Sequence, residues 1–422
     1  MKQHETEHIE QEVPSILSKR KLLPGDRVLW VIVAMFFAIS MVVVYSACSK
    51  DGFSKGSTSI YLQKHLITLC ISAALLFGCY FMGAKFLRKA TVWAYALALM
   101  ATIAPYFIGG TTNHAHRWLD LGFFSFQPSE LLKIGTIMLL AARLSANHHR
   151  VKHIHLLPST IDVRKWNTPR ERSIIFDEIV PIVLPIALSC IVILPAHSSS
   201  AIHIFLVSMI LLFIAGIRIK EIVKLVTIAA VVGLAMLFTV GRGDTVISRM
   251  KSWAGYEEVV KSNNIMDKYN DSDRSRMAIQ NGGFFGVGAG RSVMRARLMH
   301  PESDYLFAIV FEEFGLLLSF VIVLLYLWLF FRALRIFEKC EWLYAGLLAV
   351  GLALLVTSQG FLHIGVTIGV LPETGQNLPF LTQGRTGMFC ASIALGIILS
   401  ISRQVERGTL VPPSQQVKDK HI

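Results

Sequence analysis

The hydrophobic residues of this chain are gathered into long blocks that are separated by polar segments. An α-helix rises about 1.5 Å per residue, so roughly 20 apolar residues cross the hydrocarbon core of a bilayer. The pattern therefore predicts an all-α polytopic membrane protein with about ten transmembrane helices. The predicted spans cover 28–46, 66–82, 90–108, a fourth segment that begins near Leu131, 179–195, 202–217, 222–240, 307–331, 342–356 and 388–401.

The composition agrees with a membrane protein and excludes an ordinary soluble domain. Of the 422 residues, 53% are hydrophobic and 16% are charged, whereas a soluble domain usually carries about 25% charged residues. The six cysteines form no CxxC pair, and no zinc or catalytic-triad motif is present, so no metal-ligating residues are predicted. The first 27 residues are polar and no cleavage pattern follows, which indicates that the first block is a permanent span.

Lysine and arginine recur in alternate loops, and this alternation indicates the orientation of the chain. Basic residues in short loops resist translocation and mark the cytoplasmic side. The pattern predicts cytoplasmic tails at 1–27 and 403–422 on either side of a membrane domain at 28–402. The net charge of +13 is then explained by topology, and nucleic-acid binding is not expected.

Three substantial segments fall on the predicted outer side, at 109–130, 241–304 and 357–387. The large loop at 241–304 connects spans 7 and 8. The stretch from 363 to 387 is too apolar for a free loop and too rich in Gly and Pro for a helix. We expect it to re-enter the membrane before span 10, surrounded by protein or a water-filled cavity. Long loops commonly carry function, so candidate site residues are sought in these segments.

Charged residues at the mouth of the fourth span are the first candidates. A charge at membrane depth costs about 3 kcal/mol, so such residues are functional candidates by default. Arg117 and Trp118 precede Gln127, and Glu130 and Lys133 follow three residues apart. Two interpretations remain open. Either these residues contact a substrate, or Glu130 and Lys133 only neutralise each other on one helix face.

Three carboxylates stand at the start of the eighth span. Asp304 precedes the adjacent pair Glu312 and Glu313, and adjacent acids in an apolar run need partners. They could form an ion-pair network with Arg117 or Lys133, or they could take part in catalysis. The two interpretations have equal weight, because ion-pair networks and active sites perturb ionisation alike.

A glycine-rich run at 282–290 is followed by Arg291 and Ser292. Successive glycines let backbone N–H groups approach an anion. The run fails the phosphate-loop template, because Phe285 stands where a glycine is required and Arg291 where a lysine is required. A tight outer turn beside a lipid pyrophosphate is the functional interpretation that remains.

These residues resemble the motifs of the SEDS family of bacterial cell-wall proteins, which includes FtsW, RodA and SpoVE. The resemblance covers nearly all ten spans. The motifs that carry it are Arg117-Trp118-Leu119-Asp120, Gln127-Pro128-Ser129-Glu130, Ala278-Ile279 with 282–290, Asp304-Tyr305-Leu306-Phe307-Ala308, Glu312-Glu313-Phe314-Gly315, and Leu371-Pro372 through Leu378-Pro379-Phe380. The chain departs from the family pattern at 195–200, at His363, where the family commonly has Asn, and at 384–387.

The resemblance implies an inverting glycosyltransferase that polymerises lipid II into glycan strands and releases a lipid pyrophosphate. Such a reaction needs a general base and cations for the leaving group. The family carries an essential Asp in the large outer loop; that stretch is rewritten here, and Asp267 is the predicted base, with Glu258 next. The predicted substrate-binding residues are Arg117, Trp118, Gln127, Glu130, Lys133, Arg249, Arg276, Arg291, Asp304, Glu312 and Pro379. A divalent cation such as Mg²⁺ or Mn²⁺ could share the binding of the pyrophosphate, but no ligand set is recognisable.

The resemblance also implies partners, namely a class B penicillin-binding protein that makes the peptide crosslinks, other divisome proteins and the lipid bilayer. The long N-terminal tail and the Asn- and Asp-rich insertion at 263–273 look more like the division branch (FtsW) than the elongation branch (RodA). The septum of the bacterial cytoplasmic membrane is therefore the expected location. Two other functions remain open: a lipid II flippase, which would need no base, and a non-catalytic scaffold that activates the penicillin-binding partner.

Overall fold

The computed structural model describes residues 23–54, 58–108, 118–120, 125–147, 179–239, 243–254, 270–298, 301, 303–382 and 384–410. Most of them are helical, as predicted. Each of the ten predicted segments overlaps one helix of 14 residues or more. Within the described ranges, a two-stranded antiparallel sheet is the exception to the all-α prediction, with Leu119 paired to Phe126 and Asp120 to Ser125.

The helices and strands follow one another in this order. The helices are α1 (Arg27–Ser54), α2 (Thr58–Phe81), α3 (Ala84–Ile103), α4 (Pro105–Ile108), α5 (Pro128–Ala146), α6 (Val180–Ile193), α7 (Ser198–Ile214), α8 (Ile219–Thr239), α9 (Gly243–Trp253), α10 (Asp271–Gly282), α11 (Leu306–Glu338), α12 (Leu343–Thr367) and α13 (Arg385–Glu406). The strands β1 (Leu119–Asp120) and β2 (Ser125–Phe126) precede α5, and a 3-10 helix covers Met294–Ala296. Helices α9 and α10 lie within the large loop predicted at 241–304.

Six helical segments in the described part of the chain are long and apolar enough to cross a membrane. They are Arg27–Ser46, Leu62–Phe81, Ala84–Phe107, Leu306–Glu338, Leu343–Thr367 and Arg385–Glu406. Helices α6 and α7 are apolar but shorter, with 14 and 17 residues, and α5 carries the charges of Glu130, Lys133 and Arg143. The chain is therefore a multi-pass helical membrane protein.

Helix α12 lies at the centre of the bundle. It packs against α5, α7, α11 and α13, and 83% of its most apolar stretch is buried, compared with 33% for α11. Glycines make this packing close. A Cβ on Gly351 would lie 2.6 Å from Ile137, and a Cβ on Gly360 would lie 3.0 Å from the ring of Tyr326. Small residues at helix contacts let helices approach one another in a membrane.

Helix α12 continues to Thr367, well beyond the predicted end of the ninth span at 356. The apolar pattern stops early because polar residues follow, but their side chains find partners inside the bundle. The Gln359 side-chain oxygen accepts from Lys133 at 3.0 Å, and His363 Nδ1 lies 2.8 Å from the carbonyl oxygen of Gln376. Paired polar residues therefore extend the helix where hydropathy alone predicts its end.

The segment between α12 and α13 is irregular, as predicted, but it is shorter than the predicted stretch from 363 to 387, whose ends belong to the two helices. Its second half, at 376–382, is largely buried, whereas Ile368 and Val370 are exposed. Phe380 has a φ of 67° and stacks on Phe36 with ring centroids 5.1 Å apart, and the Tyr326 hydroxyl donates to the Pro379 carbonyl. Non-helical backbone of this kind is tolerated at membrane depth only where protein surrounds it.

The glycine-rich run at 282–290 packs its backbone against a kink in α11. The helix is interrupted at Gly315, with φ of 72° and ψ of −168°. The Val287 amide donates to the Glu312 carbonyl at 2.9 Å, and the next amide makes the equivalent bond to the next carbonyl. Both amides are therefore occupied by the helix and are not free to bind a pyrophosphate.

We expect Gly282→Ala to destabilise the protein strongly. A Cβ on Gly282 would lie 2.1 Å from the carbonyl oxygen of Phe311, and this backbone cannot move without opening the contact at the kink. Overpacking of this kind costs about 1–3 kcal/mol or more. The measurement is the melting temperature in detergent, with Gly78→Ala as the control, because nothing lies within 4 Å of a Cβ there. Equal melting temperatures for the two variants would contradict this packing.

Candidate functional site

Glu312 and Glu313 form a buried carboxylate pair in α11 that is named here the glutamate anchor. Glu312 is fully buried and Glu313 is 2% exposed. Glu312 accepts from the hydroxyl of Ser292 and from the backbone amides of Val293, at 3.2 Å, and Met294, at 3.3 Å. The pair therefore fixes the loop that follows the glycine-rich run to α11.

Glu313 has a cation as its partner. One carboxylate oxygen lies 3.6 Å from the guanidinium of Arg295, and the other accepts from the hydroxyl of Ser46. Arg295 is buried and also donates to backbone carbonyls. The predicted partner Lys133 bonds elsewhere, and Arg117 lies outside the described residues. An ion-pair network of the kind expected for these acids is therefore present, but Arg295 closes it.

A second buried group, named here the core polar network, lies between α5 and α12. The Lys133 ammonium is fully buried and lies 2.8 Å from Glu130 and 3.0 Å from the Gln359 side-chain oxygen. The Gln359 amide donates in turn to the carbonyl of Asn377 at 3.2 Å. This geometry supports the interpretation in which Glu130 and Lys133 neutralise each other. It also ties the pair to the irregular segment before α13.

The carboxyl end of α12 is bound by side chains of the large loop. The last carbonyls of a helix have no partners within that helix. Ser275 donates to the carbonyl of Thr367 at 2.7 Å, while Trp253 and Arg276 donate to the carbonyl of Gly369 at 3.0 and 3.3 Å. Helices α9 and α10 are therefore positioned by α12.

A polar pocket lies at the end of the bundle that carries α9 and α10. It is named here the loop-end pocket, and it is lined by Arg249, Asp304, Tyr305, His363, Val366, Glu373, Thr374, Gly375 and Gln376. The cavity measures about 30 Å³, which is enough to hold one water molecule or one hydroxyl group. The pocket therefore suits a single polar group of a larger ligand.

Tyr305 and Glu373 are joined at the wall of the loop-end pocket. The Tyr305 hydroxyl donates to the Glu373 carboxylate, and Arg249 donates to the backbone carbonyl of Glu373 at 3.3 Å. Burial, and the negative charge of Glu373 beside it, raise the pKa of the Tyr305 phenol well above its usual value. The phenol therefore stays protonated at physiological pH and keeps the two walls of the pocket connected.

The structure brings part of the predicted substrate-binding set together. Arg249 and Asp304 both line the loop-end pocket. Glu130 and Pro379 line a second small cavity beside the core polar network. Gln127 is buried, and its backbone amide donates to a side chain of α13 at 3.1 Å. These five predicted residues therefore lie in two regions, and one of the regions is the loop-end pocket.

Other predicted residues lie apart from that pocket. Arg291 is exposed, and Trp118 is half-buried beside β1. The side chain of Arg276 contacts the end of α12, and the carboxylate of Glu312 faces the chain's own loop. Three predicted residues lie outside the described residues, so their roles stay predictions: Arg117, Glu258 and Asp267.

Sequence reasoning missed residues that the structure places in these groups. Arg295 and Ser46 complete the glutamate anchor. For Ser46, the sequence offers one indication, which is that a serine stands near the end of an apolar span. Glu373 stands inside a family motif, and His363 was noted only as a departure from the family. Glu373 and His363 both line the loop-end pocket together with Asp304.

Within the ranges that the structure describes, no group of three or more His, Cys, Asp or Glu side chains is arranged to hold a metal ion. The structure therefore shows no such ligand set in this part of the chain for the divalent cation that could share the binding of the pyrophosphate. Arg249 is the arginine among the residues that line the loop-end pocket.

An apolar groove of about 500 Å³ lies between α6, α7 and α8. Its walls are almost entirely aliphatic and aromatic, and they include Phe205, Leu234 and Met236. A concave apolar surface of this size suits a hydrocarbon chain.

Comparison with known proteins identifies the family. The family model FTSW_RODA_SPOVE, described as "Cell cycle protein", matches residues 26–407. The chain is 30% identical over 359 residues to the "Probable peptidoglycan glycosyltransferase FtsW" of Coxiella burnetii, which covers 82% of this chain and 87% of that protein. It is 27% identical over 402 residues to the "Stage V sporulation protein E" of Bacillus subtilis, covering 92% and 99%.

A solved structure shares the fold. It is described as "Structural coordination of polymerization and crosslinking by a peptidoglycan synthase complex" and superposes with a TM-score of 0.67 at 20% identity, over 90% of this chain and 98% of that chain. At this identity the likeness shows the fold alone. The family match covers residues 26–407 of the 422, and the chain therefore belongs to the FtsW/RodA/SpoVE family.

Proposed function

We propose that this protein is a glycosyltransferase that polymerises lipid II into glycan strands and releases a lipid pyrophosphate. The observation that carries the proposal is the match, over 82% of the chain, to a relative named as a probable peptidoglycan glycosyltransferase. That relative is named FtsW, which is the division branch of the family, and the name favours a role at the septum over a role in elongation.

The arrangement of the loop end supports this reaction. The loop-end pocket presents Arg249, and an arginine guanidinium binds phosphate oxygens bidentately. The apolar groove beside α8 offers a surface for the hydrocarbon tail of a lipid-linked substrate. Two substrates that are already held in one membrane lose less entropy when they meet. The protein then has to remove a proton from the acceptor hydroxyl and stabilise the leaving pyrophosphate.

We propose that all ten long helices cross the bacterial cytoplasmic membrane and that both termini are cytoplasmic. Each of these helices overlaps a predicted apolar span, and the basic loops alternate along the sequence. The large loop with α9 and α10 then faces outward. That side is where the proposed reaction would use lipid II.

A cysteine introduced at Ser262, in the predicted outer loop, should react with a membrane-impermeant maleimide in intact spheroplasts. The control is Lys339→Cys, at an exposed position after α11, which should react only after permeabilisation. Cys340 adds little background, because burial raises its pKa to about 11 and the unreactive thiol form dominates at neutral pH. The opposite labelling pattern would overturn the orientation.

We propose that a class B penicillin-binding protein, together with other divisome proteins, acts with this chain. The support is the shared fold with a chain of a peptidoglycan synthase complex that couples polymerization and crosslinking. Co-purification from detergent extracts should recover such a protein with the wild-type chain. Its absence, combined with polymerisation that needs no partner, would count against this assignment.

The proposed activity is tested with purified protein and lipid II in detergent, where we expect glycan polymer. Detergent removes the two sides of the membrane, so a flippase would yield no polymer under these conditions. A scaffold is separated by assaying the penicillin-binding partner alone. If the partner alone makes polymer at the rate of the complex, the chain is a scaffold and the proposed function is wrong.

A further inference from the structure

Two neighbouring phenylalanines in the glycine-rich run expose their rings, and they are named here the phenylalanine tip. Phe284 is 56% exposed and Phe285 is 80% exposed. Their rings contact each other edge to face, with centroids 4.9 Å apart. Contiguous exposed apolar surface commonly marks a place where a protein contacts a partner or a membrane. The phenylalanine tip therefore faces an apolar environment that the described residues do not supply.

The backbone that carries the phenylalanine tip is fixed to α11. Besides the bonds that the glycine-rich run makes to the residues before the kink, the Leu316 amide donates to the Gly283 carbonyl at 3.1 Å. A Cβ on Gly315 would lie 2.4 Å from the carbonyl oxygen of Phe284, so the two backbones are in direct contact. The phenylalanine tip therefore keeps one position along α11, level with Gly315.

The position of Gly315 along α11 gives the depth of the phenylalanine tip in the membrane. Arg332, near the other end of this helix, is paired with Asp26, and charged residues are costly inside the hydrocarbon core. Between Gly315 and Arg332 the helix rises about 26 Å, at about 1.5 Å per residue, and a hydrocarbon core is about 30 Å thick. With Arg332 at one boundary of the core, Gly315 and the phenylalanine tip lie close to the other.

An exposed apolar face of α11 leads along the helix to the phenylalanine tip. Its residues recur every three or four positions, which places them on one side of the helix, and they are between 42% and 59% exposed: Leu317, Phe320, Leu324, Trp328 and Phe331. An apolar face of this kind on a membrane-spanning helix contacts acyl chains wherever no other helix covers it. The phenylalanine tip extends this surface to the boundary of the core.

The charge beside the phenylalanine tip suits a lipid surface. The stretch from 283 to 291 contains no acid and ends in Arg291, whose side chain is exposed. The Cδ atom of Arg291 would lie 3.4 Å from a Cβ on Gly288, so the side chain lies against the run. Guanidinium groups bind phosphate oxygens, and aromatic rings with a basic residue beside them are typical of the membrane interface.

We propose that the phenylalanine tip inserts into the lipid bilayer, with both rings among the acyl chains next to the headgroups and Arg291 on a lipid phosphate. In the proposed orientation this is the outer leaflet. The depth of Gly315 and the continuity with α11 favour phospholipid over a protein partner as the occupant. The bilayer then holds the glycine-rich run at a fixed depth, and with it the glutamate anchor.

The test replaces Phe285 by the photoreactive residue p-benzoylphenylalanine in the full-length protein, in native membranes that contain its partners. This side chain is also aromatic, and under ultraviolet light it bonds covalently to the lipid or protein that it touches. Mass spectrometry of the purified chain identifies the adduct. We expect one attached phospholipid as the main product, at a yield close to that of the same probe at Phe320 on the exposed face of α11.

The matched control carries the probe at Lys339. This residue is exposed and lies about 10 Å beyond Arg332 along the chain, outside the hydrocarbon core. We expect the lipid adduct there to be about tenfold less abundant, because a side chain outside the core rarely meets acyl chains. If the chain with the probe at 285 does not fold, the probe is placed at 284, where the same results are expected.

Three outcomes would overturn the proposal. A protein adduct without a lipid adduct would show that the phenylalanine tip binds a partner. Absence of any adduct, whether or not Phe320 gives one, would show that its rings face water. Equal lipid adducts at the tip and at Lys339 would show no insertion. None of these results depends on glycan synthesis, so failure of the proposed function would leave this test unchanged.

Discussion

Replacement of Lys133 by methionine should lower the free energy of unfolding by about 3–5 kcal/mol. Lys133 is fully buried in α5 and lies 2.8 Å from Glu130, whose side chain is 7% exposed. Without the ammonium group, Glu130 is left as a buried charge that has lost its cation. The measurement is thermal unfolding in detergent, and a melting temperature equal to that of the wild type would contradict the role of the pair.

The double variant Glu130→Leu with Lys133→Met should recover most of the lost stability. Replacing both members of a buried ion pair by apolar residues of similar volume is often neutral or stabilising. The same variant tests the prediction that the two residues bind substrate. If they serve only as a pair, polymerisation returns with stability. Recovered stability without polymerisation would show that the charges also act on the substrate.

Lys224→Met is the matched control for the single variant. Lys224 and Glu221 have the same spacing of three residues and lie 2.9 Å apart, but the lysine side chain is 41% exposed. Pairs with an exposed member contribute about 0–1 kcal/mol. We therefore expect a small change in melting temperature here and a large one for Lys133→Met.

Glu312→Ala should cause a loss of stability of similar or larger size, and much of the protein should fail to fold. The carboxylate of Glu312 is fully buried and accepts from the Ser292 hydroxyl and from two consecutive backbone amides. Each buried donor that loses its acceptor costs about 1–3 kcal/mol. The expected result is a low yield of monodisperse protein and early release of the loop that follows the glycine-rich run.

Two variants separate the loss of this buried carboxylate from the general effect of replacing a glutamate in α11. Glu312→Gln keeps the shape and one acceptor oxygen, so it should lose less stability than Glu312→Ala. Glu338→Ala removes an exposed acid from the other end of the same helix, and surface substitutions of this kind usually change stability by less than about 0.5 kcal/mol. Equal stability of the two alanine variants would show that the glutamate anchor does not hold the loop.

The hydrophobic pattern predicts where the long helices lie, because a helix in a bilayer needs an unbroken apolar stretch. It predicts their ends poorly wherever polar side chains are paired inside the protein. Helix α7 begins at Ser198 rather than at residue 202. His197 caps it by accepting the Ser200 amide at 3.0 Å, and hydropathy carries no signal for that bond.

The sequence also shows that the acids at the start of α11 need partners, but it does not show which partners they have. Arg295 reaches Glu313 because the glycine-rich run folds back against the kink at Gly315. That path depends on close backbone contacts in three dimensions. No periodicity or spacing in the sequence reports it. Of the two cations that the sequence suggests, Lys133 pairs with Glu130 instead, and Arg117 lies outside the described residues.

The buried contacts of α12 show the same limit. The sequence shows a histidine at position 363, but it does not show which ring nitrogen carries the proton. The proton of His363 is placed on Nδ1 by a backbone carbonyl 13 residues away, in the irregular segment before α13. Backbone atoms are the same for every residue, so this contact leaves no trace in the identity of Gln376.

The proposed activity is tested most directly by the products that purified wild-type protein forms from lipid II in detergent, with a penicillin-binding partner whose crosslinking is blocked. We predict glycan strands that lengthen with time, and one lipid pyrophosphate released for each disaccharide added. No strands and no released lipid pyrophosphate from the folded complex, or equal strand growth by the partner alone, would contradict a glycosyltransferase.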